Sequence, residues 1–196
     1  MKRVFVIILV LSTFVFAQEN FRLIGGVNFS NIKWNDENIQ DAFDPKPLMG
    51  FNIGIENQIK NIIIGLSYVQ RGMKSEDFIE DGLEFTMTMN YITGFALLSL
   101  SPDPNSSLSL FIGGEFGKYL SGEVKATYED ESDTEDIDAD EINLDYGILG
   151  GAQISLNDKI GIRGSYYFGL ANIDDVDDDD MTGKHNCIQV MLTYKL

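Results

Sequence analysis

The sequence predicts an all-β protein, an eight-stranded antiparallel up-and-down transmembrane β-barrel behind a cleaved signal peptide. Three observations carry this reading. Apolar and other residues alternate with period two in segment after segment, and strand side chains point to alternate faces. The connections between those segments are short and long in turn, as in bacterial membrane barrels. No helix-period stretch long enough to cover a core stands out after residue 18.

The chain opens "MKRVFVIILVLSTFVFAQEN". Lys2 and Arg3 form a basic start, Val4 to Phe16 an apolar run of thirteen residues, and Val15 and Ala17 fit the −3 and −1 positions of a cleavage site. This reads as a secretory signal over residues 1–17, with a barrel domain over 18–196. The run is shorter than the roughly 20 residues of a membrane-spanning helix. No cysteine follows it to carry a lipid, and the single Cys187 rules out an intrachain disulfide.

Eight segments then alternate, at about 20–30, 47–57, 60–71, 85–100, 107–121, 143–156, 159–170 and 186–196. In the last, Ile188, Val190, Leu192, Tyr194 and Leu196 share one face, and Cys187, Gln189, Met191, Thr193 and Lys195 the other. In the seventh, Ile160, Ile162, Tyr166, Phe168 and Leu170 oppose Gly161, Arg163, Ser165, Tyr167 and Gly169. The fourth, "FTMTMNYITGFALLSL", loses its alternation near Ala96 to Leu98 and leaves its faces unassigned. Segments of about 9–11 residues suit tilted membrane strands. Short joints fall at "NQIKN", "SPDPNSS" and "NDK", the second rich in turn formers. An even strand count returns both ends to the periplasm.

A membrane barrel turns its apolar stripe to lipid and keeps polar residues in the lumen. The expected lumen cluster is Arg22, Glu56, Arg71, Glu115, Asp145, Arg163 and Lys195, joined by Asn28, Asn52 and Gln153. Eight strands leave room only for side chains, so the interior is expected to be a packed polar plug rather than a diffusion pore. Lys118 falls on the apolar face, near the outer end of strand five, placed to snorkel to the interface. A soluble periplasmic ligand-binding barrel, with the stripe inside, is the alternative architecture.

Several of these strands, in order, resemble the PorT-like outer-membrane β-barrel proteins of Bacteroidota. The residues that carry this are "FRLIGGVNFSN", "YITGFALLSL", "LFIGGEFGKYLSGEV", "LDYGILGGAQISL" and "IGIRGSYYFGLANI", which span nearly all of the chain after residue 18. Family members usually carry Glu and Pro in the fourth segment, where this chain has Thr93 and Phe95. The resemblance implies a small outer-membrane barrel with both ends periplasmic. The founding member looks like an accessory of a protein secretion system. An accessory component of secretion or envelope assembly is therefore the second functional expectation, after a structural or surface-interaction role.

Charge and chemistry bound the rest. Without Lys2 and Arg3 the chain has 12 basic side chains against 31 acidic ones, a formal net charge of −19. That sign disfavours nucleic acid. The stretches 31–46, 72–84, 122–142 and 171–185 hold 25 of the acids and five basic residues, so the charge gathers at one end of the barrel. Such runs are ordinarily solvated. The sharper expectation is a cation-dependent contact with lipopolysaccharide phosphates, an envelope protein or a cationic ligand.

Asp136, Asp138 and Asp140 alternate like the start of an EF-hand, as do Asp175, Asp177 and Asp179. The loop then needs Gly at its sixth position and Glu at its twelfth. Glu141 and Gly147 stand there in the first run, Asp180 and Asn186 in the second. Only weak, shared binding of Ca²⁺ or Mg²⁺ by these carboxylates is expected. His185, the single histidine, is read as a surface residue in or beside the last acidic loop, near the start of the last strand. No nucleophile has a histidine beside it in sequence, so the protein is read as a non-enzyme without a cofactor. Its expected partners are outer-membrane lipid and lipopolysaccharide, and the barrel is expected to be a monomer.

Overall fold

A computed structural model describes residues 20–36, 40–41, 44–76, 83–100, 106–128, 131–138, 142, 144–173 and 182–196. The strands are β1 (Phe21–Trp34), β2 (Lys46–Ile59), β3 (Ile62–Ser75), β4 (Leu83–Leu100), β5 (Leu108–Tyr128), β6 (Glu131–Asp136), β7 (Asp145–Ser155), β8 (Ile160–Gly169) and β9 (Gly183–Lys195). Eight of them close a ring in the order β1-β2-β3-β4-β5-β7-β8-β9, with β9 back on β1. Every pairing is antiparallel. Closure leaves no strand edge in the ring, which is what hydrocarbon demands of a sheet. Residues 1–17 of the signal reading lie outside the described residues.

The sequence reading is corrected at three places. First, β6 is an added strand. It pairs only with the far end of β5, as a hairpin beyond the ring, and all six of its side chains are exposed. Its sequence, "ESDTED", has no apolar residue to signal a strand.

Second, strands continue past the segments at the loop end: β1 to Trp34, β3 to Ser75, β5 to Tyr128, and β9 from Gly183. Beyond the apolar band the outward residues turn polar, so hydropathy alternation fades while the hydrogen-bonded ladder continues.

Third, β4 alternates without a break. Tyr91, Thr93, Phe95, Leu97 and Ser99 point inward, and Ile92, Ala96, Leu98 and Leu100 face outward. Leu97 looked out of phase because it packs in an apolar layer inside the barrel, with Ile24, Ile63, Phe95, Phe111, Leu149, Tyr167 and Cys187.

The β4–β5 register shifts between Asn90 and Tyr91, so that Tyr91 faces Tyr119 and Asn90 faces Ser121. Leu120 is the extra residue of this bulge, and beyond it the partners of inward-facing Met89 and Met87 are Gly122 and Val124. A bulge of this kind bends its strand and adds twist. A second irregularity interrupts the β2–β3 ladder between Pro47 and Asn52. There Ser30 of β1 reaches Gly72 of β3. Its hydroxyl donates to the Gly72 carbonyl at 2.9 Å and accepts from the Gly72 N–H at 2.8 Å. Gly72 has φ +156°, and a Cβ on it would lie 1.8 Å from the Met87 carbonyl oxygen, so only glycine fits.

Close approach of neighbouring strands sets a second glycine. A Cβ on Gly26 would stand 2.1 Å from the backbone oxygen of Val190, whereas one on Gly164 would meet nothing within 4 Å. Gly26→Ala should therefore destabilise the folded barrel by about 1–3 kcal/mol through overpacking. Gly164→Ala should change it by less than about 0.5 kcal/mol. Urea unfolding in lipid vesicles, read by heat-modifiable gel migration, measures both.

Candidate functional site

The wall of the ring is inverted relative to a soluble domain. Ile53, Ile64, Leu66, Ile112, Phe116, Ile188 and Leu192 are among the large apolar side chains exposed on its outside. Arg71, Arg163, Glu56, Glu115, Asp145, His185, Gln189 and Asn28 are buried within it. A sheet in water would reverse these faces, because a bare apolar belt would face water and the charges would lose it. Lys118 is exposed on the outer wall between Phe116 and Leu120.

The alternation places the lumen charges, and the register brings them into two nodes. The first lies toward the short turns. Arg163 of β8 grips Glu56 of β2 with a two-pronged fork, Nη1 and Nη2 each donating to a carboxylate oxygen at 2.7 Å. Its Nε and Nη2 also donate to Gln153 Oε1 of β7, at 3.1 and 2.8 Å. Arg22 Nη1 stands 3.6 Å from the same carboxylate. The Arg163 guanidinium lies 5.2 Å from the centre of the Phe111 ring. Lys195 is half-buried at this mouth, directly across from Arg22 on the β1–β9 ladder.

The second node sits nearer the loops. Arg71 of β3 donates to Glu115 of β5 and to Asp145 of β7. Asp145 also accepts from the Tyr167 hydroxyl at 2.7 Å. The Arg71 guanidinium stacks 3.9 Å from the centre of the Tyr167 ring. One cation thus serves two carboxylates, a charge-assisted arrangement that ties three strands.

An apolar cluster around Leu97 packs against both nodes and shares Phe111 with the first and Tyr167 with the second. Above the second node lies another, with Ile32, Trp34, Met73, Met89, Tyr91, Tyr119 and Ile173. Along β7, Gln153, Leu149 and Asp145 follow one another up the wall. The expected polar plug is therefore corrected to an interior that polar nodes and apolar clusters fill together.

Smaller contacts tie the remaining strands. The Ser67 and Thr93 hydroxyls lie 2.9 Å apart, and the Ser165 hydroxyl donates to Gln189 at 3.0 Å. Arg71 and Arg163 have side-chain exposures of 0% and 1%. Water filling a continuous pore would touch them, so none passes these planes.

His185 is the main correction among the functional candidates. It is fully buried inside the barrel, not on a surface loop. Its Nε2 lies 3.1 Å from the Tyr91 hydroxyl, and the two rings meet edge to face at 5.6 Å. The alternation puts Tyr167 on the inner face but gives no sign of its bond to Asp145, and it leaves Tyr91 unplaced. The signal for Tyr167 was its phase with Arg163; Tyr91 lay in the segment whose faces were unassigned. Cys187 is buried in the layer with Leu97.

Of the aspartates considered for metal, Asp136 ends β6 as an exposed residue and Asp138 follows it. Asp140, Asp175, Asp177 and Asp179 lie outside the described residues. Among the described residues, no three His, Cys, Asp or Glu side chains come together to hold an ion.

Breaking the fork takes from the buried Glu56 carboxylate both hydrogen bonds of Arg163 and leaves it only Arg22, 3.6 Å away, at a cost of about 3–5 kcal/mol. Arg163→Met should destabilise the barrel by that amount in urea unfolding. Adding Glu56→Leu to it should recover most of the loss. A loss under about 1 kcal/mol in the single variant would show that the fork is solvated.

Comparison with known proteins agrees with this geometry. Residues 16–175 match the family model described as outer membrane protein beta-barrel domain. No curated protein matches the chain by sequence. Neisserial surface protein A is similar in structure, with a TM-score of 0.57 and 11% identity over 90% of this chain and 97% of that one. The attachment invasion locus protein of Yersinia pestis is similar at a TM-score of 0.51 and 17% identity, over 90% of this chain and 98% of its own. These identities establish the fold and not an activity. With the family match covering most of the sequence, the chain belongs to the outer membrane protein beta-barrel domain family, and its place is the outer membrane.

Proposed function

We propose that this protein is a non-catalytic, monomeric outer-membrane barrel whose work is done by the surface it presents at its loop end. The observation that carries the reading is the inversion of the wall: an apolar exterior around buried, mutually paired charges. Such an interior holds the ring rigid and leaves no route for solutes. What remains to act is the rim and the β5–β6 hairpin. In small membrane barrels the short turns are periplasmic and the longer loops extracellular. On that orientation both chain ends are periplasmic, residues 1–17 are removed on export, and the acidic loops face the cell exterior.

Negative loops of this density repel anionic partners and attract cationic ones, over a distance set by salt. Weak Ca²⁺ or Mg²⁺ binding at these carboxylates belongs to the same reading. Within the family, the ordered glycine and aromatic motifs favour a PorT-like member.

Orientation is the part on which the surface role depends. An epitope tag inserted between Tyr128 and Glu131, at the tip of the β5–β6 hairpin, should be detected by antibody on intact cells. A tag in the 156–159 turn should be detected only after the outer membrane is opened. The reverse pattern would overturn the proposal. In planar bilayers the untagged protein should give no steady conductance.

A further inference from the structure

Four of the five basic residues in the acidic loop regions stand on one arc of the barrel. Lys184 is on β9, Lys33 on β1, Lys46 on β2 and Lys74 on β3, four consecutive strands of the ring. They form two cross-strand pairs, because Lys33 is the Cα partner of Lys184 and Lys46 that of Lys74. Like charges directly opposite each other on a ladder are destabilising, so each pair needs an anion.

The two pairs differ in how that need is met. Lys46 and Lys74 share Glu76, donating to its two oxygens at 2.8 and 2.9 Å, and Lys46 also has Asp44 at 3.9 Å. The Glu76 carboxyl is held down to about 2, first by those hydrogen bonds and then by the two positive charges. Lys33 and Lys184 have no carboxylate within ion-pair distance among the described residues. Both point outward, since Ile32, Trp34, Gly183 and His185 on either side of them point in. Lys33 is exposed and Lys184 half-buried.

The height of this pair is telling. Just below it Asn31 faces Asn186, which accepts from the Tyr166 hydroxyl at 3.2 Å. Below those come Phe29, Ile188 and Tyr166, on the apolar belt. Leu23, at the other edge of the belt, is ten residues before Lys33. At about 3.3 Å per residue and a tilt of about 40°, that rise is about 25 Å, the height of the apolar band of such barrels. The lysines therefore stand where lipid headgroups begin.

We propose that the Lys33–Lys184 pair is a docking site for the phosphate of an outer-leaflet lipid headgroup, supplying the anion that Glu76 supplies to Lys46 and Lys74. Two lysines on partner positions of one ladder suit a phosphate, which can accept from both, and the belt beneath receives the acyl chains. This deepens the surface reading above and rests on its membrane placement and orientation.

The test compares thermal midpoints of the full barrel in phosphatidylcholine vesicles, with and without phosphorylated lipid A. Phosphorylated lipid A should raise the midpoint of the unaltered protein, and dephosphorylated lipid A should not. Added salt should shrink the rise. Lys33→Gln with Lys184→Gln should fold in phosphatidylcholine and lose the rise; Lys33→Arg with Lys184→Arg should keep it.

A rise that survives in the double glutamine variant would overturn the site. So would a double variant that loses stability equally in all vesicles, because the lysines would then serve only the protein's own acids. An equal rise from inorganic phosphate in detergent would overturn the assignment to lipid. Failure of the unaltered protein to enter phosphatidylcholine vesicles would instead refute the membrane placement itself.

Discussion

Every backbone N–H and C=O that crosses hydrocarbon has to be paired within the protein, and in this chain the β4–β5 ladder completes that pairing. It runs from Leu83 opposite Tyr128 to Leu100 opposite Leu110 and turns an open sheet into a ring. Without it β4 and β5 would each expose an edge to lipid, at several kcal/mol for each unpaired group. The bulge at Leu120 and the Ser30–Gly72 contact belong to the same constraint. Each lies where a ladder changes register, and the Ser30 hydroxyl supplies the bonds that β2 does not make to Gly72.

Closure decides what lies inside. Eight strands enclose a space that side chains fill, so every inward residue meets residues from across the barrel. Glu56 and Arg163 stand on β2 and β8, and Arg71 bridges β3 to β5 and β7. These contacts cross-brace the ring where backbone hydrogen bonds only link neighbours. Desolvating such ions is costly, so the value of the nodes lies in holding one arrangement; the loss appears when one partner is removed. The apolar clusters packed against the nodes exclude water from them and strengthen their attraction.

Much of this was legible in the sequence because the strand period is a hard constraint. The phase of Ile188, Val190 and Leu192 against Gln189 and Met191 assigned both faces of β9. The same logic gathered Glu56, Arg71, Glu115, Asp145 and Arg163 on one side of the wall. It did not pair them, because pairing depends on the register of strands far apart in the chain. Thus Arg163 meets Glu56, 107 residues away, and not a neighbour in sequence. Hydropathy also failed wherever both faces shared a character. Leu97 faces an apolar layer on the inside, and β6 is polar on both faces. His185 was misplaced because the aspartates before it suggested a loop, whereas β9 had already begun at Gly183.

The acidic rim and the lysine arc make one polarised end. Carboxylates crowd the loops, while four ammonium groups ring one side of the barrel just below them. Both depend on the wall separating lipid from a dry interior. Nuclear magnetic resonance of the isotope-labelled barrel in lipid nanodiscs tests that separation most directly, through contacts of side-chain protons with acyl chains and with water. The methyl groups of Ile188, Val190 and Leu192 should show contacts with acyl chains. The guanidinium protons of Arg71 and Arg163 should show none with bulk water and should exchange slowly. Rapid exchange at both arginines, or methyl groups in contact with water and not lipid, would contradict the account.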